Sequence, residues 1–370
     1  MVTAAIGGVT SIGWLLLLMA PWRFWSTRER LEPGEEGLAD SRGVGVLIPA
    51  RNEADQIERT LRSLGRQGSR LKVVLVDDQS LDGTAERARK VAGIDLEIIV
   101  GKPLPPGWSG KLWALEQGRL RFESETILLV DADIELAPGM VSALWWKLRG
   151  ERVDLASVMA ELRTESAGER LLAPAFVYFF KLLYPFSLGN NPKQRRGVAA
   201  GGCVLVKRDT LERIGGFAAL KGALIDDCTL AQRIKDHGGA TWVGLSHGVR
   251  SHRPYPRLQD FWDMVARNAF TQLRYSPVLL LAATFTMLTF FWGPWAGLLS
   301  GSKRLRAVGL IGAASMTATY LPMVRFYGLP AWRALTLAPV SLLYLLMTWT
   351  SAFRYWQGRR AEWRGRTYKS

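Results

Sequence analysis

Cysteine is nearly absent: Cys203 and Cys228 are the only two in 370 residues. That excludes a disulfide framework, and the pair lacks metal-ligand spacing, so both are expected as small buried apolar residues in a reducing compartment. Histidine is also scarce, at three residues. His237 in "KDHGG" and His252 in "SHRPYP" each stand beside a turn, where a hydrogen-bonded structural role is expected, and neither is a catalytic candidate. No GxGxxG fingerprint and no GxxxxGK[ST] loop occurs, which removes the two common ways of cradling a nucleotide phosphate. Acid is in short supply, with 33 Asp and Glu against 48 Lys and Arg and a net charge of +15. The excess suits nucleic acid, anionic lipid or a phosphorylated ligand, but no Arg/aromatic recognition module supports nucleic acid.

What is present is unevenly distributed. Residues 3–22, "TAAIGGVTSIGWLLLLMAPW", carry no charge and are long enough to span a bilayer. They lack the basic leader and small-residue cleavage site of a removable signal, and Arg23, Arg28 and Arg30 follow them. The expectation is a signal-anchor over 1–25 with its N-terminus outside, followed by a linker at 26–42 and a cytoplasmic domain at 43–257. An amphipathic interfacial helix is expected at 258–277 and a C-terminal membrane region at 278–353. The tail 354–370 carries Arg354, Arg359, Arg360, Arg364, Arg366 and Lys369 against Glu362, which suits a cytoplasmic membrane face. Apolar stretches near 278–300, 307–324 and 334–353 would leave that tail outside if all three crossed. A re-entrant hairpin in 278–300, broken at "FWGPWAG", resolves the conflict. The segment 169–186 is dense enough in apolar residues to be expected on the lipid side.

Between 44 and about 250 short apolar runs alternate with helical patterns. "VGVLIP" (44–49), "LKVVLVD" (71–77), "LEIIV" (96–100) and "TILLVD" (126–131) read as buried parallel strands, with helices at 53–67, 82–92 and 109–122 between them. This is the rhythm of a doubly wound α/β sheet, whose ligands bind beyond the carboxyl ends of the strands. Those ends carry "PARNE" (49–53), "DDQS" (77–80) and "DAD" (131–133). Asp77 and Asp78 would also serve as turn and helix-capping residues, but three polar strand ends in one sheet favour a shared site.

A hard divalent cation would explain why a basic chain ends an apolar strand on Asp131 and Asp133, because Mg²⁺ takes few protein carboxylates and completes its shell with phosphate oxygens, although a lone D-x-D by itself reads as a solvated turn. Asp226 and Asp227 in "IDDCTLAQRI" open a strong helical pattern, where the macrodipole favours acids and where Asp227 could also accept a proton from an attacking hydroxyl. Gly201 and Gly202 in "AAGGCVLVKR" either let backbone approach an acceptor or form a bulge.

The ordered set "VLIPARNEADQIERTLRSL", "VVLVDDQSLDGT", "PPGWSGKLWAL", "VDADI" and "IDDCTLAQRI" resembles the family 2 glycosyltransferases over about 44–275. It is most similar to the hopene-associated members, near the ceramide and carotenoid glycosyltransferases. The resemblance implies a GT-A fold, Rossmann-like with a doubly wound mixed sheet, and inverting transfer from a nucleotide-activated sugar with Mg²⁺ or Mn²⁺. It implies that Ala50, Arg51, Glu53, Asp78, Lys111, Asp131 and Arg274 bind a nucleotide-sugar donor, here a UDP-sugar. Asp133 with Asp131 would hold the metal, Asp227 with Asp226 would be the catalytic pair, and Gly201 and Gly202 would face the acceptor. Where many membrane members have Q-x-x-R-W, this chain has "TQLRY", with Thr271 and Tyr275 at the Gln and Trp positions. That departure speaks against a processive polysaccharide synthase and for a single transfer to a membrane lipid, with hopanoid synthesis as the implied setting. The implied location is the cytoplasmic membrane, multi-pass. The competing readings are that processive synthase, a nucleotidyltransferase acting on lipid phosphate, and a non-catalytic scaffold, which loss of Asp133 or Asp227 would have marked.

Overall fold

The strands expected at 44–49, 71–77, 96–100 and 126–131 all form in the computed structural model, which describes residues 2–34, 43–68, 71–223, 226–359, 362–363 and 366–367. In chain order the elements are α1 (Val2–Met19), β1 (Val44–Ala50), α2 (Ile57–Gly65), β2 (Lys72–Asp77), α3 (Thr84–Arg89), β3 (Asp95–Val100), α4 (Gly110–Arg119), β4 (Thr126–Val130), β5 (Ile134–Leu136) and α5 (Met140–Gly150). Then come β6 (Leu155–Glu161), α6 (Ala167–Leu183), α7 (Phe186–Gly189), β7 (Cys203–Lys207), α8 (Arg208–Arg213), α9 (Asp226–Asp236) and β8 (Thr241–Ser251). The chain continues through α10 (Leu258–Ala266), α11 (Ala269–Gln272), α12 (Pro277–Leu298), α13 (Lys303–Phe326) and α14 (Leu337–Trp356) to a short ladder of β9 (Glu362–Trp363) and β10 (Arg366–Thr367). Among the described residues two 3-10 turns also occur, at Gly216–Leu220 and Ala331–Thr336. The expected linker at 26–42 and the basic tail fall partly outside the described residues, the linker at 35–42 and the tail at 360–361, 364–365 and 368–370.

Two compact units result: a sheet unit of 29–163, 186–254 and 362–370, and a helical unit of 1–28, 164–185 and 255–361. The sheet runs β3-β2-β1-β4-β7-β6-β8-β5. Strands β1, β2, β3 and β4 are mutually parallel, β7 is antiparallel to β4 and β6, and β8 is parallel to β6. The ends of β1, β2, β4 and β8 and the start of β7 therefore emerge along one edge. Every residue of β1 and β4 is buried, as aliphatic strands covered on both faces require. Strand β3 corrects the expectation of a fully buried strand, since it lies at the sheet margin and is only half covered. Helices α2, α3 and α4 are shorter than expected because their first residues are spent on turns: Gln56 and Ile57 N–H both bond Glu53 O, and Ser109 caps α4 by accepting from Leu112 N–H.

In the helical unit the chain directions follow from side-chain contacts. Trp14 of α1 meets Phe290 of α12, while Gly7 stands against Gly293 and Gly297, so the two helices run antiparallel. Gly309 of α13 meets the α12 backbone so closely that a Cβ would stand 2.4 Å from Leu298 N, the small-residue contact that lets apolar helices approach. Trp349 Nε1 donates to Thr284 Oγ1 at 2.9 Å, and Phe270, Leu280 and Ala352 form one buried cluster. Helix α14 therefore ends beside the start of α12.

Two sequence expectations are corrected in this unit. The break expected at "FWGPWAG" does not occur, because α12 runs unbroken through Pro294. Proline at 294 removes the N–H that Phe290 O would accept, and the Trp14 indole N–H replaces it at 2.7 Å. The 169–186 segment forms α6 over Ala167–Leu183 and buries Leu172, Ala175, Val177 and Tyr178 on one side, where the Tyr178 hydroxyl pairs with Thr319 at 2.8 Å, while Leu183 is exposed. The interfacial helix of 258–277 divides into α10 and α11, with Phe261 and Phe270 buried and Trp262 donating to Thr350. Among the described residues three helices, spanning Pro277–Leu298, Lys303–Phe326 and Ala331–Trp356, are long and apolar enough to cross a membrane.

Candidate active site

The loops that leave β1 and β2 are laced together. Ala50 O accepts from Asp78 N–H at 2.8 Å, and the Arg51 guanidinium bonds the carbonyls of Asp78 and Gln79. Asn52, at a left-handed φ of 52°, accepts from Leu81 N–H, and Glu53 N–H donates to Thr84 Oγ1. Ala50 and Asp78 are fully buried. The polar strand ends thus form one rigid shelf.

Beside the shelf, Asp131 N–H donates to Gly202 O at 3.0 Å, which ties the end of β4 to the chain entering β7. Gly202 adopts φ 97°, a left-handed conformation that L side chains rarely take. A Cβ on Gly201 would lie 3.1 Å from Asp227 Oδ2, so glycine there allows the backbone to meet that carboxylate. Asp226 and Asp227 open α9.

Lys111 is what joins these parts. It is the second residue of α4, and its ammonium sits 2.9 Å from Asp131 Oδ1 and 3.3 Å from Asp226 Oδ2. Burial opposes its charge, yet Asp131 and Asp226 outweigh burial and hold it protonated well above the usual lysine range. Pro49, Lys111, Asp131, Gly201, Asp226 and Asp227 line a common cavity of about 30 Å³, room for a water or two.

Asp227 is pushed up to about 7, first by burial and then by the charge of Asp226, against the Cys228 N–H, Lys111 and the Gly201 N–H, which favour its ionised form. A carboxylate poised there can take a proton near neutral pH.

Asp133 faces another set of partners. Its Oδ2 accepts from Ser251 Oγ at 2.9 Å and Arg253 Nε at 3.0 Å, and Arg253 Nη2 reaches Glu53 Oε1 at 2.9 Å. Glu53 is also raised to about 7, mainly by burial, with Arg253 opposing and the charge of Asp133 adding to the rise. Neither Arg253 nor Ser251 was singled out from sequence. The available signal was the polar "RSHR" at the end of β8, the same kind of strand end that marked the other loops.

Among the described residues no three His, Cys, Asp or Glu side chains form a ready-made metal cluster. The donor set nonetheless fits a hard cation that binds few protein ligands. Asp131 and Asp133 offer carboxylate oxygens, and with Glu53, Asp226 and Asp227 they outnumber the paired cations Lys111 and Arg253. The cavity residues all belong to the sheet unit, whereas Arg274 belongs to the helical unit, exposed and at a left-handed φ of 52°.

The profile described as glycosyl transferase family 2 matches residues 45–215. The 4,4'-diaponeurosporenoate glycosyltransferase of Staphylococcus haemolyticus is 34% identical over 96 residues, 26% of this chain and 25% of that protein. The beta-monoglucosyldiacylglycerol synthase of Trichormus variabilis is 22% identical over 265 residues, 66% of this chain and 56% of that protein. The chain thus spans between a quarter and just over half the length of these curated relatives. A solved mannosyltransferase, PcManGT from Pyrobaculum calidifontis in complex with GDP-Man and Mn²⁺, superposes with a TM-score of 0.57 at 20% identity, covering 97% of this chain and all of that one. That likeness establishes the GT-A architecture of the sheet.

Proposed function

We propose that this chain, a family 2 glycosyltransferase by the domain it carries at 45–215, moves one sugar from a nucleotide-sugar donor to the hydroxyl of a membrane lipid with inversion. The observation that carries the reading is the meeting of Asp227 with Asp131 and Lys111 around one cavity. In the proposed step Asp227 takes the proton of the acceptor hydroxyl while its oxygen attacks the anomeric carbon. The bond from that carbon to the diphosphate breaks, and the diphosphate leaves with the electron pair. Gly201 and Gly202 keep this side open for the acceptor.

Asp133 and Asp131 would hold Mg²⁺ or Mn²⁺, which when bound neutralises charge on the departing diphosphate. The shelf of Ala50, Arg51, Glu53 and Asp78 would take the nucleoside of a UDP-sugar. Helices long enough to cross a membrane support a lipid acceptor, of which a hopanoid is one candidate, and a cytoplasmic-membrane enzyme with its sheet unit on the cytoplasmic side.

The test is nucleotide release from a panel of nucleotide sugars, with and without Mn²⁺ or Mg²⁺, using the full chain in mild detergent with membrane lipid extract as acceptor. Metal-dependent release from one donor is expected, lost in Asp133→Asn and reduced about 10³-fold in kcat in Asp227→Asn. Folded protein that releases nothing from any donor would sink the reading.

A further inference from the structure

Lys111 occupies an unusual place for a cation. It lies in the first turn of α4, where the exposed backbone N–H groups disfavour positive charge. Its side chain is only 23% exposed, yet it reaches carboxylates from two other elements, the end of β4 and the start of α9. The charge is therefore held by its two partners and not by solvent.

A divalent cation coordinated by Asp131 would sit about 2 Å from a carboxylate oxygen. The ammonium already stands 2.9 Å from Asp131 Oδ1. The two cations repel at such separations, so a free metal ion has to displace the lysine without giving it a new partner. A metal arriving with a diphosphate brings phosphate oxygens that the ammonium can pair with instead. Asp226 remains as a tether through the exchange.

We infer that Lys111 is a built-in counter-ion that withholds Asp131 from free divalent metal and hands it over when a nucleoside diphosphate arrives, so that metal and donor enter together. The inference rests on the reading of Asp131 and Asp133 as the metal and diphosphate site. It gives the adjacent acids separate tasks: Asp226 anchors the lysine as a positioning residue, and Asp227 is left for the acceptor proton. Lys111 thereby regulates the order of loading in addition to contacting phosphate.

Mn²⁺ binding to the full chain in detergent, followed by loss of the free-ion electron paramagnetic resonance signal with and without UDP or GDP, tests this without turnover. The wild type is expected to bind Mn²⁺ weakly alone and at least about tenfold more tightly with one of the nucleotides. Lys111→Gln should bind Mn²⁺ alone about tenfold more tightly than wild type and lose most of the nucleotide enhancement. Asp226→Asn, which leaves the ammonium wholly to Asp131, should shift Mn²⁺ binding the opposite way and serves as the second arm if Lys111→Gln unfolds. Lys102→Gln removes an exposed charge from the preceding loop and should change nothing. Nucleotide-dependent Mn²⁺ binding in wild type without a gain in Lys111→Gln, or an equal gain in Lys102→Gln, overturns the inference alone. No Mn²⁺ binding by wild type with either nucleotide removes the metal-site reading and the inference with it.

Discussion

At the scale of the residue, the two neighbouring acids that open α9 are distinguished by environment and not by type. Asp227 is raised to about 7 by burial and by the charge of Asp226. A base must be ionised to accept a proton, so kcat/KM should rise with pH through about 7 and fall away below it. Asp226→Asn removes the second-largest cause of the rise, so the acid limb should move to lower pH. A pH–rate profile of both proteins checks this, and an unmoved limb would mean that another group governs it. Sequence reading singled out Asp131, Asp133 and Asp227 as candidates because strand ends and helix starts are local patterns. It did not identify Arg253, whose importance lies in bonding Asp133 and Glu53 from 120 and 200 positions away. Pairings at that separation leave no periodic trace. The same limit applied to Lys111, expected from resemblance to face nucleotide, whose bridge to Asp226 needs the fold.

At the scale of the element, Pro294 shows how tertiary context overrides a local rule. The sequence "FWGPWAG" holds a proline and two glycines and reads as a helix break. Helix α12 persists because Trp14, fully buried in α1, donates to the carbonyl that the proline abandons. An unsatisfied carbonyl at this depth costs about 1–3 kcal/mol. Trp14→Phe should therefore lower stability by roughly that amount while keeping the ring contacts with Phe290 and Phe291. Pro294→Ala supplies an N–H to the same carbonyl, so the tryptophan should matter less in that background. A double-mutant cycle in detergent, read by denaturation, should show coupling of about 1 kcal/mol, and strict additivity would mean the indole is only filling space. The strands were easier to foresee, since β1, β2 and β4 are continuous aliphatic runs whose burial on both faces needs no distant partner.

At the scale of the molecule, the membrane helices pose a parity problem. Three helices long enough to cross would normally place the end of the third opposite the start of the first. Here they do not, because Trp349 bonds Thr284, Arg354 pairs with Asp263, and Ser351 Oγ accepts from Phe270 N–H. The end of α14 lies at the same end of the helical unit as the start of α12, so one of the three cannot cross. Sequence reasoning reached the same parity from the basic tail but placed the return inside 278–300, where α12 is continuous. The return belongs at α13. If α13 crossed, residues 327–336 would have to cross back before α14 begins. Four linking residues reach at most ~14 Å and the six of the 3-10 turn ~12 Å, together short of the ~30 Å hydrocarbon core. Helix α13 should therefore begin and end at one face, running obliquely against α1 and α12. Single cysteines placed at Ser302, Trp332 and Gln357 in a Cys203→Ser, Cys228→Ser background test this with a membrane-impermeant thiol reagent. Ser302→Cys and Trp332→Cys should label from one side and Gln357→Cys from the other. Labelling of Trp332→Cys from the side opposite Ser302→Cys would show that α13 crosses, and the return would then have to lie elsewhere in the helical unit.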